Sequence, residues 1–141
     1  MRRTRAHADQ SLVGRTGAGS PILYTARTES LAKLEALVHL KPAIAVRLVL
    51  VQATLPDALV ATLRSALPAG WDDAPDSGAA RSVGDSWLQS GSSLALEVPS
   101  VYSSTETNVL INPAHPDFAQ LVIGNPVPFA FDHLLIDPDL R

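Results

Sequence analysis

The chain has 141 residues, of which 46% are hydrophobic and 18% charged, a composition typical of one globular domain rather than a disordered chain. The formal net charge of −3 gives no electrostatic reason to expect direct nucleic-acid binding, and the lack of cysteine excludes disulfides and thiolate metal sites. No apolar run reaches the ~18 residues of a membrane helix, and no signal-peptide core follows residues 1 to 5. We therefore expect a cytoplasmic protein with no membrane attachment.

Residues 1 to 13 show no sustained hydrophobic period and predict an irregular N-terminal segment, which leaves residues 14 to 141 as a single domain. The stretch VGRTGAGSP predicts a glycine-rich loop, and PILYTA at 21–26 predicts a short strand. A helix capped by Thr28 or Ser30 is expected to run to about residue 40, before Pro42.

Strands and helices then mix without regular alternation, so the predicted fold class is α+β, with a mixed sheet and flanking helices. The expected elements are a strand buried on both faces at 43–55, a helix from 57 to about 66 and a helical turn running into 86–88. They continue with strands at 94–98, 108–111 and 127–132, and a short helix or turn at 115–122.

The first predicted helix carries a carboxylate on its apolar stripe. Three residues fall at i, i+3 and i+7 and are expected to face the core: Leu31, Leu34 and Val38. Glu35 takes the remaining i+4 position of that stripe, where burying an ionised carboxylate costs several kcal/mol, roughly, unless something pairs with it. Either Glu35 lies at the rim of the helix and reaches water, or it is a functional carboxylate.

Three further residues have a functional and a plain interpretation. Arg15, in the glycine-rich loop, could form a fork onto phosphate oxygens or could be solvated. Tyr24, near the end of its strand, could stack on a planar ring or belong to the core. His39 follows Glu35 at i+4 on the same side of the helix, where it could equally stabilise the helix terminus.

Other sequence motifs point to no specific chemistry. The remaining histidines show no ligand spacing, so no metal is expected: His7, His115 and His133. Ser100 has no nucleophile-elbow glycines around it, so the sequence gives little support for a catalytic triad. The GAG at 17–19 does not follow a strand or open a helix, which argues against a dinucleotide-binding fingerprint. The residues alone indicate an α+β domain with an anion site near a buried carboxylate.

Seven stretches in order resemble the RES domain, a family of bacterial toxins paired with Xre-like antitoxins. The resemblance spans roughly residues 14 to 135. The stretches are GR, GSPILYTA, SLAKLEALVHL, LPAGW, LEVPS, NVLINPAHPDF and FAFD.

The resemblance implies a fold like that of the ADP-ribosyltransferase toxins and an enzyme that consumes NAD as its substrate, with no cofactor. It implies catalytic roles for Glu35, Arg15, Tyr24 and Ser100, and substrate contacts from Arg15 and Tyr24. Ser30 and His39 lie where the family also keeps polar residues near the site. Cleavage of the nicotinamide–ribose bond builds positive charge on the ribose, which a shielded carboxylate stabilises.

The resemblance also implies partners: an Xre-like helix-turn-helix antitoxin and a second copy of the chain in a homodimer. The chain departs from the family pattern at the arginine, where GRTG replaces GGRWN and the spacer to the strand is one residue shorter. His133 or Leu134 also replaces a later arginine of the family. These departures favour an alternative, a degenerate RES domain that retains only antitoxin binding or regulation, and they predict that Arg15 is displaced from the pyrophosphate.

Overall fold

A computed structural model of the chain describes residues 2–7, 13–15, 21–39, 48–63, 67–72, 78–132 and 135. These residues form two α-helices, nine strands and two short 3-10 helices. The helices are α1 (Glu29–His39) and α2 (Gly78–Ser90), and the 3-10 helices span Asp57–Leu59 and Pro116–Gln120. The strands are β1 (Arg2–His7), β2 (Val13–Arg15), β3 (Pro21–Ala26), β4 (Leu48–Leu55), β5 (Val60–Thr62), β6 (Ala95–Pro99), β7 (Thr107–Ile111), β8 (Val122–Ile123) and β9 (Val127–Phe129).

All nine strands belong to one sheet, in the order β5-β6-β7-β3-β1-β4-β8, with β2 added to β3 and β9 added to β4. The pairs are antiparallel except β5 with β6, which run parallel. The α+β class predicted from the sequence is confirmed. Among the described residues, neither helix is long and apolar enough to cross a bilayer.

The N-terminal residues occupy the middle of this sheet. The prediction of an irregular segment is wrong for Arg2–His7, because β1 pairs with β4 in six registered positions and with β3 at Arg5 and Ala26. Likewise, Val13–Arg15 forms a short strand against β3 and not the expected loop. Both elements depend on backbone pairing with distant strands, which local hydrophobic periodicity does not reveal.

The two faces of the sheet are covered differently. Paired residues of adjacent strands project to the same side, so the pairs Tyr24–Leu110 and Ala26–Asn108 define one face, called here the helix face. Ala26 packs there against Leu31 and Ala32 of α1. The other face, called the core face, includes Val109. It carries the larger apolar cluster of Leu55, Leu94, Ala95, Val109 and Ile111, flanked by Leu23, Leu59, Val60, Phe118 and Leu121.

Strand β4 contributes to both faces, at opposite ends. Leu48 and Leu50 are buried at its start, whereas Ala53 and Leu55 are buried at its end. Since side chains alternate along a strand, these two pairs point to opposite faces. The sequence predicts a strand buried on both faces along its length, but its first half is buried on one face and its second half on the other.

The helix expected at 57–66 is wrong where the structure describes it. Asp57–Leu59 forms a single 3-10 turn, and β5 follows at once, with Val60 and Thr62 paired to Ala95 and Glu97. Tertiary pairing to β6 therefore overrides a weak helical pattern. Helix α2 is longer than the expected turn and ends where Gly91 adopts a left-handed φ of 56°.

The remaining expectations agree with the structure where it describes them. The strands expected at 21–26, 94–98, 108–111 and 127–132 correspond to β3, β6, β7 and β9, and the turn at 115–122 contains the second 3-10 helix. The expectations for 16–20, 43–47, 64–66 and 133–134 lie outside the described residues.

Candidate active site

The start of α1 is fixed by Thr28. Its hydroxyl accepts a hydrogen bond from the backbone N–H of Leu31 at 3.1 Å, and its carbonyl accepts from the N–H of Ala32. The same hydroxyl donates to the carboxylate of Glu106, in the loop before β7. Of the two expected caps, Thr28 is therefore the one used, and it ties the first turn of α1 to the end of β7 that carries Asn108.

The buried face of α1 includes one member of the predicted leucine–valine stripe, Leu31, but not the other two. Leu31, Ala32 and Ala36 are buried, whereas Leu34 and Val38 are exposed. Alanines let a helix lie close to a sheet, and this rotates the larger Leu34 and Val38 side chains outwards. Glu35 lies beside the alanine face, and its side chain retains only 19% exposure.

The carboxylate of Glu35 receives two hydrogen bonds on one oxygen. The Asn108 Nδ2 group donates to Oε1 at 2.6 Å, and the Ser100 hydroxyl donates to the same atom at 3.1 Å. The second oxygen, Oε2, lies 3.8 Å from His39 Nε2, beyond hydrogen-bond distance. A shielded anion with one oxygen held by both of these donors is able to stabilise positive charge, or accept a hydroxyl from a ligand, through the other oxygen.

Ser100 is held in position by the turn that follows β6. Its backbone N–H donates to the Glu106 carbonyl at 3.3 Å, and its Oγ accepts from the Tyr102 N–H at 3.1 Å. Since the Oγ lone pair is used in this way, the hydroxyl hydrogen is left to point at Glu35. Ser100 is buried.

Tyr24 lies on the helix face near the carboxylate. It pairs with Leu110, so it is the diagonal neighbour of Asn108, at a typical separation of about 7–8 Å between such positions. Its side chain is 46% exposed, which rules out the core interpretation. The structure therefore places Glu35, Ser100 and Tyr24 around Asn108. These three are among the four residues to which the family resemblance assigns catalytic roles.

The two peripheral residues differ in their relation to Glu35. His39 is 62% exposed beside Oε2, and its ring meets that of Tyr102 edge-on, with centroids 6.4 Å apart. Ser30 is exposed in the first turn of α1, about 140° around the helix from Glu35. Only His39 therefore lies beside the carboxylate.

Arg15 is placed by its backbone. It ends β2 and pairs with Pro21, at the opposite end of β3 from Ala26. Five strand residues correspond to about 17 Å, and the three residues from Pro21 to Tyr24 to about 10 Å. The backbone of Arg15 thus lies on the strand next to the one that carries Tyr24, opposite the far end of β3 from Ala26.

Asn108 is the site residue that the sequence analysis missed. At the start of the apolar NVLI run, asparagine looks like a strand boundary, and only pairing with Ala26 under α1 brings it to Glu35. The signal that could have identified it is an amide at the start of the NVLINP stretch that no turn follows directly. Among the described residues, no cluster of His, Asp and Glu could hold a metal ion.

The fold and the site together define an α+β domain in which a helix holds one shielded carboxylate over a mixed sheet. The model of the RES domain family matches residues 4–132, and the chain belongs to this family. The resemblance seen in the sequence is thereby confirmed.

Several named relatives are similar over most of the chain. It is 42% identical over 104 residues to the Prs ADP-ribosylating toxin of Sphingobium sp., covering 70% of this chain and 65% of that protein. It is 36% identical over 117 residues to Toxin Res of Yersinia enterocolitica, covering 81% and 77%. A third match, to Toxin Res of Pseudomonas putida, is 36% identical over 102 residues, covering 70% and 69%. The chain spans 65% to 77% of the length of these relatives.

Proposed function

We propose that this chain is the toxin of a type II toxin–antitoxin pair and that it cleaves NAD at the nicotinamide–ribose bond. The observation that carries the proposal is the Glu35 carboxylate, shielded from water and held by Asn108 and Ser100 beside an exposed tyrosine. The names of the relatives, Toxin Res and ADP-ribosylating toxin, agree with such a chemistry.

In the proposed reaction, the bond from ribose C1′ to the nicotinamide nitrogen breaks, and its electron pair leaves with nicotinamide. The ribose then carries the positive charge of an oxocarbenium-like species. Glu35 stabilises this charge through Oε2, the oxygen that accepts no hydrogen bond from Asn108 or Ser100. An oxygen of water, phosphate or a protein side chain attacks C1′ and completes the transfer.

The other residues bind and orient the dinucleotide. Tyr24 stacks on the nicotinamide or ribose with its exposed ring, and Ser100 both holds Glu35 and borders the leaving group. His39 and Ser30 contribute polar contacts at the rim. Arg15 is the residue that the family resemblance assigns to the pyrophosphate, at the far end of β3.

The proposal extends to partners and compartment. An Xre-like helix-turn-helix antitoxin would hold the toxin inactive, and the toxin would act as a homodimer in the cytoplasm, where both NAD and such an antitoxin are found. Direct nucleic-acid contact is left to the antitoxin, in keeping with the net charge of −3.

A second candidate is a degenerate RES domain that binds the antitoxin without cleaving NAD. The observation that favours it is the loop around Arg15, where the Trp-Asn pair of the family is missing and Val13–Arg15 is a strand. A strand presents fewer converging N–H groups to a phosphate than a glycine-rich loop does.

Incubation of the purified protein with NAD separates the two candidates. The toxin proposal expects NAD to fall and nicotinamide to appear in equal amounts. The matched control is Glu29→Gln, which changes a carboxylate on the same helix that pairs with Lys33 near the surface. No nicotinamide from the wild type would favour the degenerate domain.

A further inference from the structure

Asn108 approaches the Glu35 carboxylate more closely than either of the other two described groups around it. Its Nδ2 lies 2.6 Å from Oε1, compared with 3.1 Å for Ser100 Oγ and, on the other oxygen, 3.8 Å for His39 Nε2. We propose that Asn108 is a positioning residue that fixes the carboxylate, so that Oε2 alone faces the ligand. This inference rests on the proposed NAD cleavage.

The position of Asn108 in the fold does not by itself favour an asparagine. Asparagine is depleted in strands, and here it lies inside β7 between Thr107 and Val109. Its Oδ1 atom is buried and accepts no hydrogen bond within the described part of the chain, which costs folding free energy. Neither the strand nor the core therefore favours asparagine at position 108, and the contact with Glu35 explains why it is there.

The orientation of the amide follows from the carboxylate. If the amide were flipped, Oδ1 would lie against Oε1 at about the same short distance, and two oxygen acceptors would repel each other. Nδ2 therefore points at Glu35, and Oδ1 is left without a donor as a consequence. The unpaired Oδ1 is the cost of holding the carboxylate.

The two donors act on the same oxygen, which makes the two oxygens of Glu35 different. Oε1 is held from β7 by Asn108 and from the turn after β6 by Ser100, so the carboxylate plane cannot rotate freely. Oε2 accepts from neither of these donors and lies 3.8 Å from Nε2 of His39, whose side chain is 62% exposed. Loss of the Asn108 donor would let the carboxylate turn and would weaken the charge stabilisation at C1′.

Two substitutions test this role in the NAD assay. Asn108→Ala removes the donor, and we expect kcat to fall about 10- to 100-fold with KM little changed, since a hydrogen bond to a charged group is lost but no ligand contact is. Asn108→Asp keeps the shape and places a second carboxyl against Oε1. Near neutral pH, this variant should be slower than Asn108→Ala, because like charges at this distance repel.

The pH dependence separates positioning from a merely structural role. In the Asn108→Asp variant, acidification adds one proton to the pair formed by the new carboxyl and the Glu35 carboxyl. This shared proton again provides a hydrogen bond between the two groups. The activity of Asn108→Asp relative to Asn108→Ala should therefore rise between about pH 8 and about pH 5. The control is Asn112→Ala, which removes the same amide from the turn after β7, where Oδ1 accepts the Ala114 N–H at 2.9 Å. We expect this control to lose stability but to keep the wild-type pH profile.

The outcomes distinguish this inference from the proposed function. A wild type that releases no nicotinamide would overturn the proposed function, and the positioning role with it. An active wild type matched by Asn108→Ala in kcat per folded molecule would overturn the positioning role alone. A pH–activity profile of Asn108→Asp that runs parallel to the profile of Asn112→Ala would also overturn the positioning role alone. A fall in kcat together with the acid recovery supports the inference.

Discussion

Two glutamates of this chain are largely shielded from solvent on opposite faces of the same sheet, and the groups around them differ. Glu97, on the core face, has 12% exposure and pairs with the Arg27 guanidinium at 3.4 Å and the Thr107 hydroxyl at 2.7 Å. Glu35, on the helix face, has 19% exposure and accepts hydrogen bonds from the neutral groups of Asn108 and Ser100, with His39 Nε2 3.8 Å from its second oxygen.

The difference shows how burial alone does not identify a functional carboxylate. The charge of Glu97 is neutralised by Arg27, so it ties β6 to the end of β3 and has little attraction left for a ligand. Among the described side chains, no lysine or arginine lies within salt-bridge distance of Glu35. Its charge is kept in place and remains available to a cation that forms during a reaction.

The largest expected effect comes from removing the charge of Glu35. Glu35→Gln keeps the shape of the side chain but loses the anion, and we expect kcat for nicotinamide release to fall about 100- to 1,000-fold. The melting temperature should change little, because the amide oxygen of glutamine can still accept the Asn108 and Ser100 hydrogen bonds. Equal rates for wild type and variant would show that the Glu35 charge plays no part in NAD chemistry.

Breaking the ion pair on the core face should have the reverse effect. Arg27→Ala leaves the Glu97 charge shielded without its cation, and we expect a loss of about 1–3 kcal/mol in the free energy of unfolding. The turnover per folded molecule should stay at the wild-type value. Urea unfolding measures the first quantity and the NAD assay the second.

The surface pair of α1 provides the control for this stability measurement. Glu29→Gln removes an exposed ion pair with Lys33, and such pairs contribute about 0.2–1 kcal/mol. If Arg27→Ala cost no more than Glu29→Gln, the contrast between a neutralised and an available carboxylate would be lost.

How far the sequence predicted these two sites depends on whether the signal was local. The sequence identifies Glu35 from its place in a helix and from the family resemblance, although the apolar stripe used to find it is correct only at Leu31, since Leu34 and Val38 are exposed. Asn108 and the core-face pair of Glu97 with Arg27 were not identified. Their contacts depend on strand register, which brings together residues 73 and 70 positions apart.

The same reasoning explains which parts of the fold were predicted. Strands with their own apolar pattern and turn signals, such as β3 and β7, were found within a residue or two. Strand β1 has no such pattern, because four of its six residues are arginine or histidine, and it exists through pairing on both edges. Strand β5 follows a single 3-10 turn and is specified by the parallel partner β6.

A smaller effect is expected at the cap of α1, which orients Glu35 from a distance. Thr28→Ala removes the acceptor for the Leu31 N–H and the donor to Glu106, and we expect a loss of about 1 kcal/mol in unfolding free energy. Thr28→Ser keeps the hydroxyl and should behave like the wild type. Equal stability of the Ala and Ser variants, measured by urea unfolding, would show that the cap contributes nothing.

The smallest effect is expected at Arg15, where the chain departs most from its family. If Arg15 holds the pyrophosphate through a bidentate fork, Arg15→Lys should weaken NAD binding by about 1–3 kcal/mol, because a point charge cannot reproduce the fork. The spacer to β3 is one residue short, however, and Arg15 pairs with Pro21, about 10 Å along the strand from Tyr24. We therefore expect wild type, Arg15→Lys and Arg15→Ala to bind NAD with nearly the same affinity in a calorimetric titration, performed with Glu35→Gln as the background so that the ligand is not consumed. A clear loss in both variants would instead assign Arg15 to the pyrophosphate and extend the site from the Glu35 carboxylate along the whole length of β3.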